Sequence, residues 1–133
     1  MPYTMSEAES FLCDGIRHIT RVDHNVIAAK YKKLGDETIY KSATINGVTP
    51  NIAHMLSHTL YQHTPLPDHW KDAFELNRAR IQAYMDELDV VANALAEAVI
   101  ALVALKNSGI TREIYPHPGA IPMGGVGFPI LFY

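Results

Sequence analysis

The fold of this chain is decided by residues 70–105, which read WKDAFELNRARIQAYMDELDVVANALAEAVIALVAL. Mostly apolar side chains recur there in alternating steps of four and three residues, and they line one face of a helix, which we call the seam. Such a heptad pattern is typical of a long helix that packs against other helices. One seam position holds Phe74, Ile81, Leu88, Leu95 and Leu102, and the other holds Asn77, Tyr84, Val91, Ala98 and Leu105. We therefore predict an all-α fold, a helical hairpin or bundle built on one long helix over about residues 66–107.

The length of this helix poses a packing problem. About forty residues form a rod of about 60 Å, whereas a compact chain of 133 residues has a diameter of about 36 Å. Either the helix kinks within residues 86–89, or other subunits cover the excess. The half from Val90 onward is apolar on most sides, which favours oligomerisation over a kinked monomeric bundle.

The first 35 residues are also predicted to be helical. Two overlapping capping boxes, at residues 4–7 and 6–9, precede an apolar stripe that runs from Ala8 to Val26 and fails at Lys30. A helix stop signal follows at Leu34 and Gly35. Gly15 lies inside the stripe, where it either allows close approach of another backbone or is a weak point that kinks the helix.

A second helix start signal follows a stretch whose composition differs from that of the predicted helices. Residues 36–48 are rich in β-branched and aromatic side chains and contain the turn pair Asn46 and Gly47, so we expect a loop with some extended backbone. Thr49 and Pro50 then begin a helix that we expect to run to about His63.

The C-terminal residues 114–133 form a separate segment. They carry four prolines, four glycines and no Asp, Glu, Lys or Arg, and they end in FPILFY. Such a composition excludes a helix. We predict a helical domain over residues 1–113 and an extended Pro/Gly-rich arm over 114–133 that docks on a neighbouring subunit, with a tail folded back on its own helices as the alternative.

The composition excludes several classes of protein. One cysteine rules out an internal disulfide framework and a multi-cysteine zinc site, and 11 Lys and Arg against 14 Asp and Glu give no basic patch for nucleic acid.

The longest apolar run, residues 90–105, spans about 24 Å and contains Glu97, so we expect no membrane span. With no secretory signal and one thiol, we expect a reducing, cytoplasmic compartment.

Histidines supply the one candidate for metal chemistry. His54 and His58 are four residues apart and share a helix face, so they could bind one divalent transition metal with a third ligand from His69, Asp68 or His24. The competing interpretation is a polar face at the surface or at an interface. We expect no other cofactor, since no phosphate-binding loop, reactive cysteine or other catalytic motif is found.

Two hypotheses for the function follow. The first is a noncatalytic structural or assembly subunit of a homo-oligomer or larger complex, for which a virion or phage connector component is of suitable size. The second is a helical metal- or small-ligand-binding protein that uses His54 and His58, with hydrolysis as one outcome. In the first, the subunit interface is predicted to comprise Phe74, Ile81, Tyr84, Leu88, Val91, Leu95, Leu102, Leu105, Phe128, Ile130, Leu131, Phe132 and Tyr133.

Overall fold

Five helices account for most of the described chain. The computed structural model describes residues 2–21, 23–104 and 130–132. The helices are α1 (Glu7–Arg21), α2 (His24–Leu34), α3 (Asp36–Ile45), α4 (Thr49–Ser57) and α5 (Asp68–Glu97). A short strand β1 (Leu102–Ala104) follows and pairs antiparallel with β2 (Ile130–Phe132). The predicted all-α class is confirmed.

The start of α1 is the capping box at residues 6–9. The Ser6 backbone N–H donates to Glu9 Oε2 at 2.8 Å, and the Glu9 N–H donates to Ser6 Oγ at 3.1 Å. The two bonds satisfy amide groups that have no partner within the helix. The predicted box at this position is confirmed.

The single helix predicted over residues 1–35 is wrong, because the chain forms two. Asp23 stands before α2 with extended backbone, and its carboxylate accepts the Asn25 N–H at 2.8 Å. This local bond competes with a continuous helix and caps a new one. Nζ of Lys30 in α2 lies 2.6 Å from Oδ2 of Asp14 in α1, so an ion pair joins the two helices.

The loop predicted over residues 36–48 is also wrong, because residues 36–45 form α3. Ile39 and Ala43 are four residues apart and fully buried, so α3 is stabilised by the core rather than by its own propensity. The helix ends at the predicted turn pair, where the Asn46 N–H donates to the Ser42 carbonyl and Gly47 adopts a φ of 68°.

The core lies where the five helices meet. Helix α4 has Pro50 in its first turn as predicted, but it ends at Ser57 rather than near His63. Gly15 of α1 is buried against the side chains of Ile52 and Met55 of α4, so side chains rather than another backbone lie nearest to this glycine. The buried cluster comprises Phe11, Leu12, Ile27, Ile39, Ala43, Ile52, Ala53, Met55, Leu56 and Trp70.

Helix α5 is shorter than the predicted range of about 66–107. Its 30 residues span about 45 Å, and it continues through residues 86–89 as regular α-helix. Its buried seam extends to Leu88, whereas the next seam residue, Val91, is 42% exposed. The helix ends at Glu97, and Val99, with a φ of 60°, has left the helical conformation. Cover of this exposed half by other subunits stays a prediction.

Little of the predicted C-terminal arm belongs to the described residues. Within 114–133, only residues 130–132 are described, and they pair with β1 in the register Leu102↔Phe132. The rest of the predicted arm lies outside the described residues. Within the described part of the chain, no helix is long and apolar enough to cross a membrane.

Candidate functional site

The carboxylate of Asp36 joins three helices at one point. Asp36 is the first residue of α3, and its Oδ1 accepts the hydroxyl of Tyr31 from α2 and the indole N–H of Trp70 from α5, the latter at 2.6 Å. Its Oδ2 lies 2.6 Å from Nε2 of His69, which is also in the first turn of α5. One side chain therefore holds the beginnings of α3 and α5 together.

The hydrogen bonds around Asp36 favour its ionised form. Burial raises the pKa of this carboxyl, but the hydrogen bonds from Tyr31 and Trp70, together with the nearby His69, outweigh burial and lower the pKa below its ordinary value. Burial, and after it the hydrogen bond to Asp36, raise the pKa of the Tyr31 phenol. The Tyr61 hydroxyl lies 3.4 Å from that of Tyr31 and extends the polar network.

Aromatic rings fix the orientation of His69. The ring of Tyr40 meets the His69 ring edge-on, with centroids 4.8 Å apart, and it meets Trp70 in the same way at 5.0 Å. Trp70 is fully buried, whereas the His69 side chain is 41% exposed and that of Asp36 is 34% exposed. The imidazole of His69 is therefore half-exposed, held in place by aromatic rings and paired with an ionised carboxylate. Such a pair can accept and release a proton.

The predicted histidine pair lies together at the end of α4. The ring centroids of His54 and His58 are 4.3 Å apart, and the His54 ring stacks on Phe74. Nδ1 of His58 lies 2.9 Å from the His54 carbonyl oxygen. Among the described residues, no group of three His, Cys, Asp or Glu side chains could hold a metal ion. Metal binding by this pair stays a prediction.

The predicted interface residues do not share one environment. Ile81 and Leu88 are buried within the chain, Phe74, Tyr84 and Leu95 are half-buried, and Val91 is exposed. Phe74 packs against the chain's own core. The side chains of the remaining predicted members lie outside the described set, namely Leu102, Leu105, Phe128, Ile130, Leu131, Phe132 and Tyr133.

Sequence reasoning missed the site around Asp36. His69 was considered only as a third metal ligand, and Asp36 was assigned to a loop. One signal was present, because the indole N–H of a buried tryptophan needs an acceptor and this chain has one tryptophan. The acceptor, Asp36, is 34 residues away along the chain, which is farther than a short sequence motif extends.

Comparison with known proteins gives one match. Residues 32–126 match the model of a protein family described as uncharacterised nucleotidyltransferase. No curated protein and no solved structure matches the chain. The matched range begins in α2 and contains α3, α4 and α5, and therefore also Asp36 and His69.

This match overturns the first functional hypothesis. A nucleotidyltransferase is an enzyme by its description, so the prediction of a noncatalytic structural, virion or connector subunit is wrong. The description also names group transfer rather than the hydrolysis considered for His54 and His58. Because the match covers more than half of its residues, the chain belongs to the family of uncharacterised nucleotidyltransferases.

Proposed function

We propose that this protein takes part in nucleotidyl transfer, in which a nucleoside monophosphate moves from a nucleoside triphosphate to an acceptor and pyrophosphate leaves. The observation that supports this function is the family match over residues 32–126. The matched range includes α3, α4 and α5, whereas α1 and most of α2 lie outside it.

The position of a radioactive phosphate tests this function. The full chain is incubated with the magnesium complex of each nucleoside triphosphate, labelled in separate experiments at the α or the γ phosphate. The acceptors are a polyol, a protein rich in serine and threonine, and a sugar 1-phosphate. A nucleotidyltransferase moves the α label to the acceptor and releases the γ label as pyrophosphate.

The same experiment separates the alternatives. Transfer of the γ label to an acceptor would identify a kinase, and release of label without any transfer would identify a hydrolase. Either result would overturn the proposal, as would the absence of α-label transfer with every nucleotide and acceptor. Protein heated to unfold it serves as the blank.

A further inference from the structure

We propose that His69 is the base that removes the proton from a hydroxyl acceptor, and that the acceptor is accordingly an alcohol rather than a phosphate. This inference rests on the proposed nucleotidyl transfer. It goes further because it assigns a catalytic residue and a chemical class of acceptor. Asp36 acts through His69 and is its positioning residue.

The first step of the argument places a hydrogen between the two side chains. Asp36 is held as a carboxylate by the donors Tyr31 and Trp70, and a carboxylate only accepts hydrogen bonds. Its Oδ2 lies 2.6 Å from Nε2 of His69, so the hydrogen between them is carried by Nε2. The partner of one ring nitrogen therefore selects the tautomer of the imidazole.

The second step identifies the basic atom. A neutral imidazole with its hydrogen on Nε2 has a lone pair on Nδ1. No residue in the described ranges hydrogen-bonds Nδ1 of His69, and the side chain is 41% exposed. Nδ1 is therefore available to a reactant while the other nitrogen is anchored.

A second histidine of the same chain provides the contrast. Nδ1 of His58 lies 2.9 Å from two oxygens, the carbonyl of His54 and Oγ of Ser57. The carbonyl can only accept, and the Ser57 hydroxyl already donates to that same carbonyl at 2.7 Å, so both contacts fit a hydrogen on Nδ1. The described ion pairs include none between His58 and a carboxylate. His58 is exposed, so it matches His69 in residue type and access but not in partner.

The third step connects the basic atom with the acceptor. An alcohol is neutral at pH 7 and must lose its proton as it attacks, whereas a phosphate acceptor already carries a nucleophilic anionic oxygen. In the proposed step, Nδ1 takes the hydroxyl proton and the acceptor oxygen forms a bond to the α-phosphorus. The bond from that phosphorus to the bridging oxygen breaks, and its electron pair leaves with pyrophosphate. Asp36 stabilises the imidazolium, which then returns its proton to water.

The tautomer can be measured without any substrate. Two-bond and three-bond proton–nitrogen correlation spectra of the ¹⁵N-labelled chain distinguish the two neutral forms of each histidine. We expect the Nε2–H form for His69 and the Nδ1–H form for His58, and we expect Asp36→Asn to reduce the Nε2–H fraction of His69 alone. A predominant Nδ1–H form at His69 would overturn the inference whatever the enzyme does.

Transfer kinetics test the catalytic role. With a polyol and with the serine- and threonine-rich protein as separate acceptors, we expect His69→Gln to lower kcat by about 10²- to 10⁴-fold while the KM for the nucleotide changes little. The control His63→Gln, at an exposed histidine outside the described helices to which no role is assigned, should stay within about twofold of the unmodified chain. The two acceptors distinguish a small-molecule alcohol from a protein hydroxyl.

The variant His69→Ala distinguishes a catalytic role of His69 from a merely structural one. In His69→Ala, added imidazole should restore part of the lost rate, because a free base can occupy the space and accept the proton. Unchanged kcat in His69→Gln, lack of rescue, or transfer to the sugar 1-phosphate alone would each overturn this inference while nucleotidyl transfer stands. Absence of transfer from the unmodified chain would overturn the proposed function, and this inference with it.

Discussion

Gly15 of α1 lies against Met55 of α4 so closely that a β-carbon at position 15 would stand 2.8 Å from the terminal methyl of Met55. The same β-carbon would stand 3.1 Å from Cδ1 of Ile52. Helices α1 and α4 therefore approach each other at a point where α1 carries no side chain. The close packing at this point makes the size of residue 15 a determinant of stability.

We expect Gly15→Leu to lower the free energy of unfolding by about 2 kcal/mol, because overpacking outweighs the gain in helix propensity. Gly15→Ala should change it by less than about 1 kcal/mol, because the flexible Met55 methyl can move and alanine favours the helix. Urea unfolding followed by circular dichroism measures both values. In a Met55→Ala background, Gly15→Leu should cost less; equal costs in both backgrounds would contradict contact with Met55.

The charge of Asp36 should make the fold sensitive to acid. Because the pKa of Asp36 is lowered in the fold, its stabilising effect is fully present above its unfolded pKa of about 3.9 and is lost as the pH falls through the folded value. We expect the free energy of unfolding of the unmodified chain to exceed that of Asp36→Asn at pH 7. The difference should hold to about pH 5 and shrink below pH 4.

Urea unfolding at a series of pH values measures this difference. The exposed pair Glu75 and Arg78, 2.9 Å apart on α5, supplies the control, and Glu75→Gln should change stability by less than about 1 kcal/mol at pH 7. If Asp36→Asn costs the same at pH 7 and pH 2.5, the ionised carboxylate is not the stabilising group.

The capping box predicts a difference between two nearby hydroxyl residues. Ser6→Ala removes the acceptor of the Glu9 N–H and should lower the free energy of unfolding by about 1 kcal/mol. Thr4, which begins the other box expected from sequence at residues 4–7, is exposed and precedes the helix, so Thr4→Ala should leave the stability unchanged within about 0.5 kcal/mol. Thermal or urea unfolding compares the two variants, and equal losses would rule out the assigned cap.

The burial of α3 predicts a large effect within a segment whose sequence is typical of a loop. Ile39 is fully buried, and Ile39→Ala should lower the free energy of unfolding by about 2–5 kcal/mol. Ile45, at the end of the same helix, is 74% exposed, so Ile45→Ala should stay within about 0.5 kcal/mol. Similar costs for the two isoleucines would show that α3 does not pack as described.

These elements differ in how far they could be predicted from sequence. The cap at Ser6 and the seam of α5 up to Leu88 depend on residues within a few positions of one another, so local patterns are enough. Helix α3 depends on burial of Ile39 and Ala43 against other helices, and its β-branched residues point to the wrong structure when considered alone. The heptad pattern also does not indicate where α5 ends, since the pattern continues to Leu105 whereas the helix ends at Glu97.

The candidate site was harder to predict than the fold. Asp36 and His69 are brought together by the packing of α5 on α3, and nothing in their spacing indicates contact. The pair His54 and His58, by contrast, has a regular spacing, and its two rings are indeed adjacent. Family membership depends on a pattern spread over residues 32–126, which the short catalytic motifs sought in the sequence do not capture.

The hydrogen bond from Trp70 to Asp36 has a practical consequence. This chain contains one tryptophan, and its indole is buried at the carboxylate that anchors His69. Intrinsic fluorescence excited at the indole therefore comes from a single place, next to the candidate base. Titration of Asp36, movement of α5 or arrival of a reactant at His69 would each alter that emission, so the protein carries its own optical probe of the site.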